Sequence, residues 1–143
     1  MKSVKGAVSN VLVVDDDSSI RNLLAEELRY RGYSVTVARN GSEALERLDV
    51  MTPDVIVLDL RMPVMDGWTF AEHYRDRAGR RSVPIVVVSA RGDLPPEHEL
   101  GVPALFRKPF DLNELANCIA QLAPARQASV ALLSPTPRRQ PLD

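Results

Sequence analysis

Two short runs, Val55–Leu58 and Ile85–Val88, are aliphatic at every position. A strand with one solvated face alternates apolar and polar residues, so a run that never alternates belongs to a strand covered on both faces, inside a parallel sheet. Further runs of strand length stand at Val11 ("VLVV"), Ser34 ("SVTVA") and Ala104 ("ALF"), and the second of the central runs opens at Pro84 ("PIVVV"). Aliphatic residues recur at helical spacing between the runs, the order expected when parallel strands are joined by crossover helices. The chain is therefore predicted to be α/β: a doubly wound, five-stranded parallel sheet with flanking helices.

In the first helix Ile20, Leu23, Leu24 and Leu28 make one stripe, with Ser18 or Ser19 as cap and Gly32 as stop. "NGSEALERL" is a second, with Ala44, Leu45 and Leu48 inward, and "DGWTFAEHYRDRAG" a third. In the last, Asp111 caps, Glu114 stands three positions on, and Leu112, Leu115, Cys118, Ile119 and Leu122 face inward. A length of 143 residues suits one domain. Its expected bounds are 10–123, after an N-terminal extension of residues 1–9 and before a proline-rich, disordered tail of residues 124–143.

A net charge of -1 offers no broad footprint for nucleic acid. No apolar run approaches the roughly 20 residues needed to cross a bilayer, and "MKSVKGAVSN" lacks the apolar core of a secretory signal. The single cysteine, Cys118, excludes an internal disulfide and fits a reducing compartment. A cytoplasmic protein, in direct contact with neither nucleic acid nor membrane, is the expectation.

The first strand runs straight into three carboxylates, Asp15, Asp16 and Asp17. At an effective dielectric near 20, two like charges about 4 Å apart repel by roughly 4 kcal/mol, so a cation, a shared proton or splaying into solvent must answer them. Open α/β sheets bind ligands at the carboxyl ends of their strands. The third strand ends in Asp59, the fourth in Ser89 and the fifth in Lys108, the one lysine outside the N-terminal ten residues. Hard oxygen donors converging from two strands suit Mg²⁺. An ionised carboxylate such as Asp59 can act as a nucleophile and form an acyl phosphate. Lys108 and the metal then balance charge on a phosphoryl group, and Ser89 donates to one of its oxygens.

"VLVVDDDSSIR", "VIVLDLRMPVMDGW", "VVVSA" and "FRKPF", in that order, resemble the receiver domain of two-component response regulators, in its single-domain, chemotaxis-regulator-like form. The likeness runs from about Asn10 to Leu122. It implies the flavodoxin-like strand order 2-1-3-4-5. It implies that Asp59 accepts a phosphoryl group from the phosphohistidine of a sensor histidine kinase or phosphotransfer protein, and that the signal passes to a downstream protein. It further implies Mg²⁺ held by Asp16, Asp59 and the backbone carbonyl of Arg61, with Asp15 acting mainly through a water. Ser89 and Lys108 would meet the phosphoryl group, the bond before Pro109 would be cis, and Asp17 would be merely solvated. Such a chain is a signalling phosphoacceptor with weak self-phosphorylation and self-dephosphorylation chemistry, and not an enzyme in the ordinary sense.

The sequence also departs from that pattern. The stretch from Ser89 to Lys108 is shorter than receivers usually carry, and "RGDLPPEHELGVP" places prolines where the fourth helix belongs, so a short or irregular helix is expected. Leu105 stands where many receivers have an aromatic. Arg61 and Arg91 are placed to flank the pocket mouth and to tune the lifetime of the phosphoryl group. Asp66 and Gly67 read as turn residues, His73 and His98 as surface, and Trp68 as a partner contact or a partly packed ring. Two other functions fit parts of the chain. One is a haloacid-dehalogenase-type phosphohydrolase with Asp15 as nucleophile and Asp17 as acid/base. The other is an interaction module that works without phosphorylation.

Overall fold

The computed structural model describes residues 8–62, 64–78, 83–90 and 102–125. Five parallel strands, β1 (Asn10–Val14), β2 (Ser34–Ala38), β3 (Val55–Asp59), β4 (Ile85–Ala90) and β5 (Ala104–Lys108), form one sheet in the order β2-β1-β3-β4-β5. Among the described residues four helices flank it: α1 (Ser18–Tyr30), α2 (Gly41–Leu48), α3 (Gly67–Ala78) and α4 (Leu112–Leu122). This is the predicted doubly wound fold in the order 2-1-3-4-5. The segment expected to hold an irregular helix lies outside the described residues over 91–101, with Arg91 and His98. So do residues 1–7 of the extension and 126–143 of the tail.

Each layer follows from strand periodicity, because alternate side chains leave a strand on opposite faces. Val11, Val13, Val55, Val57, Val86 and Val88 pack against Leu24, Leu28, Leu115 and Ile119 of α1 and α4. Leu12, Val14, Ile56, Leu58, Ile85 and Val87 pack instead against Ala44 of α2 and Phe70 and Tyr74 of α3. The aliphatic runs that never alternate are buried throughout, as β3 shows at all five positions. Leu105 is half-buried and leans on the α2/α3 layer, whereas its neighbour Phe106 leans on the opposite one.

Helix ends settle the direction in which the site residues point. The cap of α1 is Asp17, a correction to the serine cap expected from sequence; the side chain is exposed, as expected, but also caps the helix. Its Oδ1 accepts from the N–H of Ser19 at 2.9 Å and of Ile20 at 3.3 Å, satisfying two of the amides that a helix start leaves without partners. Gly32 stops the helix as expected: it has φ 104°, and the N–H groups of Gly32 and Tyr33 reach back to the carbonyls of Arg29 and Leu28, both at 3.0 Å. Asp111 caps α4 through the Glu114 N–H at 3.0 Å.

Candidate functional site

The carboxyl ends of β1, β3, β4 and β5 converge, because parallel strands in register finish together. Asp15 follows β1 directly and is 1% exposed. Three contacts fix it: its N–H donates to the Ala38 carbonyl at 3.1 Å, its Oδ1 accepts from the Asp17 N–H at 2.9 Å, and its carbonyl accepts from Arg21 Nη1 at 2.9 Å. Asp16 is exposed. Asp59, the last residue of β3, is 3% exposed, and its Oδ1 accepts from the Arg61 N–H at 3.3 Å.

Lys108 ends β5 and reaches over the pair. Its Nζ lies 3.0 Å from Asp15 Oδ2 and 3.5 Å from Asp59 Oδ2. The closer contact is an ion pair without hydrogen-bond alignment, since Asp15 Oδ2 makes no hydrogen bond of good geometry. The bond between Lys108 and Pro109 is cis, as expected. Ser89 in β4 is fully buried, and its Oγ has no hydrogen-bond partner. A buried hydroxyl usually finds a partner, and among the described residues this one has none.

Oxygen atoms of Asp15, Asp16 and Asp59 lie within 4.8 Å of one another. The Lys108 ammonium contacts two of the three carboxylates, Asp15 and Asp59, and the electrostatics record the crowding of like charge. Burial, then the Asp15 charge, push the Asp59 carboxyl up to about 6, against the opposing pull of Lys108 and of the Arg61 N–H. Burial alone depresses the Lys108 ammonium, but its contacts with Asp15 and the Asp59 charge outweigh that, so it is raised overall and stays protonated. Uncompensated hard oxygen donors at the end of a pleated sheet are a set that a divalent cation with oxygen preference completes.

The β3–α3 connection carries a feature that the sequence pattern does not reveal. Gly67 opens α3 with its N–H on the Leu60 carbonyl at 3.0 Å. A Cβ there would sit 2.4 Å from the Asp59 carbonyl oxygen and 2.8 Å from Leu60 Cα. Asp66, beside it, accepts from the Thr69 N–H at 2.8 Å. Asp66 lies in the connection, as expected, whereas Gly67, expected in the turn, is the first residue of α3 and lets the helix rest on the backbone of Asp59. A shallow pocket next to Asp59 is lined by Leu60, Arg61, Met62, Asp66 and Trp68, the indole being 40% exposed. His73 is exposed, and Cys118 packs partly buried against the α1/α4 core, both as expected.

Residues 11–120 match the family model described as the response regulator receiver domain. The chain belongs to that family. This receiver is 38% identical over 136 residues to the transcriptional regulatory protein PrrA of Mycobacterium leprae, covering 93% of this chain and 58% of that one. The receiver thus spans little more than half the length of that relative. Its fold superimposes on the chemotaxis protein CheY4 of Vibrio cholerae with a TM-score of 0.73 at 31% identity, over 81% of this chain and 99% of that one. The response regulator TrrA of Thermotoga maritima, solved in complex with Mg²⁺–BeF, gives 0.68 at 31% identity, over 80% and 98%. The phosphohydrolase reading is not favoured. The receiver's Asp17 carboxylate, which would have to serve as acid/base, is engaged in capping α1.

Proposed function

We propose that this receiver accepts a phosphoryl group on Asp59 from the phosphohistidine of a sensor histidine kinase or phosphotransfer protein, and that the acyl phosphate biases a conformational equilibrium read by a protein partner. One observation carries the reading: a buried strand-end carboxylate, Asp59, lies 3.5 Å from the single ammonium of the site, beside a buried hydroxyl with no partner. In the transfer, an Asp59 oxygen forms the new bond to phosphorus as the donor's P–N bond breaks. The Lys108 ammonium sits where it meets charge on the incoming oxygens, and Ser89 Oγ–H is available to one of them. The same groups support weak self-phosphorylation and self-dephosphorylation.

The donor set fits Mg²⁺. Asp16 and Asp59, with the Arg61 backbone carbonyl, would bind it directly, and Asp15 through water; the three clustered carboxylates support this, as does the Mg²⁺ complex of TrrA. When bound, the ion supplies positive charge that neutralises the phosphoryl oxygens. Saturating Mg²⁺ is expected to stabilise the receiver by about 2 to 3 kcal/mol at about 100 times Kd. In Asp16→Asn, thermal unfolding with and without EDTA should show most of that gain gone, and an undiminished gain would place the ion elsewhere.

We take residues 10–123 as the domain and place it in the cytoplasm, consistent with its single cysteine; no described helix is long and apolar enough to cross a membrane. Its output is protein contact, with no direct nucleic-acid role. The test of the chemistry is the rate of phosphorylation by acetyl phosphate in Lys108→Met, which keeps the stem and removes the charge. A fall of about 10²-fold is expected, by analogy with the loss of one preorganised donor to a developing oxyanion. An unchanged rate would exclude Lys108 from the reaction.

A further inference from the structure

The strand β2 lies at the edge of the sheet. An edge strand offers a row of unpaired backbone groups to any other strand, and proteins blunt such edges with charge, proline or a covering element. The opposite edge, β5, carries Arg107 and Lys108 and is followed by Pro109. Strand β2 carries neither charge nor proline among its own five residues. Its sequence, "SVTVA", is uncharged and rich in β-branched residues, the kind of segment that pairs with a copy of itself.

The backbone of β2 has a definite free side. The Ser34 N–H donates to the Ser9 carbonyl at 3.0 Å, and the Ala38 carbonyl accepts from the Asp15 N–H at 3.1 Å, so positions 34 and 38 turn toward β1. Backbone groups alternate along a strand, which turns Val35 and Val37 toward the open edge. Both of those carbonyls are taken. Arg29, from the last turn of α1, donates through Nη2 to the Val35 carbonyl at 3.0 Å. Arg47, from the last turn of α2, donates through Nε to the Val37 carbonyl at 3.0 Å. The two helices lie on opposite faces of the sheet, so one arm folds over the edge from each layer. Arg47 is held in place further by Glu43, 3.7 Å away, which also pairs with Arg39 at 3.1 Å.

We propose that the β2 edge is a strand-pairing surface whose partner is the β2 edge of a second copy of this chain, and that Arg29 and Arg47 hold it closed. The guanidinium groups occupy the two acceptors that an incoming strand must use, and they set a positive charge from each chain against its counterpart. Both effects oppose self-pairing. The arms cost the fold little, because each spans a short distance from a helix end that favours cations.

The test compares wild type with Arg29→Met/Arg47→Met, in which the apolar stems remain over the sheet and the donors are gone. Average mass is followed over a wide range of concentration by sedimentation equilibrium, and amide exchange at Val35 and Val37 by NMR. Self-association about tenfold stronger than in wild type is expected, as for a few net hydrogen bonds gained across an interface. The Val35 and Val37 amides should gain protection with concentration, and adding the edge charge Ser34→Lys should reverse both effects. If a folded double variant associates no more than wild type, or associates without protecting those amides, the proposal is overturned. Should the double variant fail to fold, Arg29→Met alone decides, since Arg29 is exposed: it should show the same changes to a lesser degree, and their absence would overturn the proposal equally.

Discussion

Gly67→Ala is expected to destabilise the receiver by about 3 kcal/mol and to slow its phosphorylation more than that loss alone explains. The added methyl carbon would lie 2.4 Å from the Asp59 carbonyl oxygen and 2.8 Å from Leu60 Cα, both backbone atoms. Neither can swing away as a side-chain tip can, so the start of α3 must lift or the end of β3 must move. Either motion displaces Asp59, the residue proposed to take the phosphoryl group. A fall in Tm of about 10 °C follows for a domain of this size. The comparison that isolates the site effect is Gly32→Ala, at φ 104°. A left-handed alanine costs about 1 kcal/mol, just beyond the end of α1 opposite the one that Asp17 caps, and phosphorylation by acetyl phosphate should there stay at the wild-type rate. Equal slowing in the two variants would show that Gly67 matters only for stability.

Asp59→Asn should act in the opposite direction and make the metal-free receiver more stable. The Asp59 carboxyl titrates at about 6 in the fold against an ordinary 3.8, so the folded chain binds that proton more tightly than the unfolded chain does. The contribution of this one group is therefore most favourable below about pH 4, falls as pH rises through the window between the two values, and stays unfavourable above about 6. A shift of that size sets an upper bound near 3 kcal/mol. Solvent on the exposed side of the site, at Asp16, screens part of it, leaving about 1 to 2 kcal/mol. Urea unfolding in EDTA at several pH values should show the Asp59→Asn variant more stable than wild type by that amount at about pH 7.5, with the gap closing toward about pH 4. A wild type at least as stable as the variant under the neutral condition would mean that the acidic cluster is not strained.

What the sequence disclosed and what it concealed have a common cause. The strands were legible because β1, β3 and β4 are buried on both faces and so are aliphatic almost without interruption. Asp15, Asp59 and Lys108 were legible because residues at the ends of parallel strands must share one rim, and the structure brings both carboxylates within 3.5 Å of the Lys108 ammonium. Asp16 joins them from the exposed side. The role of Asp17 was hidden because three adjacent aspartates look alike until the direction of α1 decides which one meets its free amides. Gly67 was read as a turn residue because its further role depends on how closely α3 approaches β3, a long-range distance that spacing along the chain does not encode. The orphaned Ser89 hydroxyl is likewise a property of packing: serine at a strand end is common, and only full burial without a partner marks this one.

The identity of the phosphorylated residue tests the account most directly. Intact-mass analysis after incubation with acetyl phosphate, with and without Mg²⁺, should show a single Mg²⁺-dependent phosphoryl adduct on the wild type and none on Asp59→Asn. An adduct that survives in Asp59→Asn, or its absence from a folded, Mg²⁺-loaded wild type, would contradict the account.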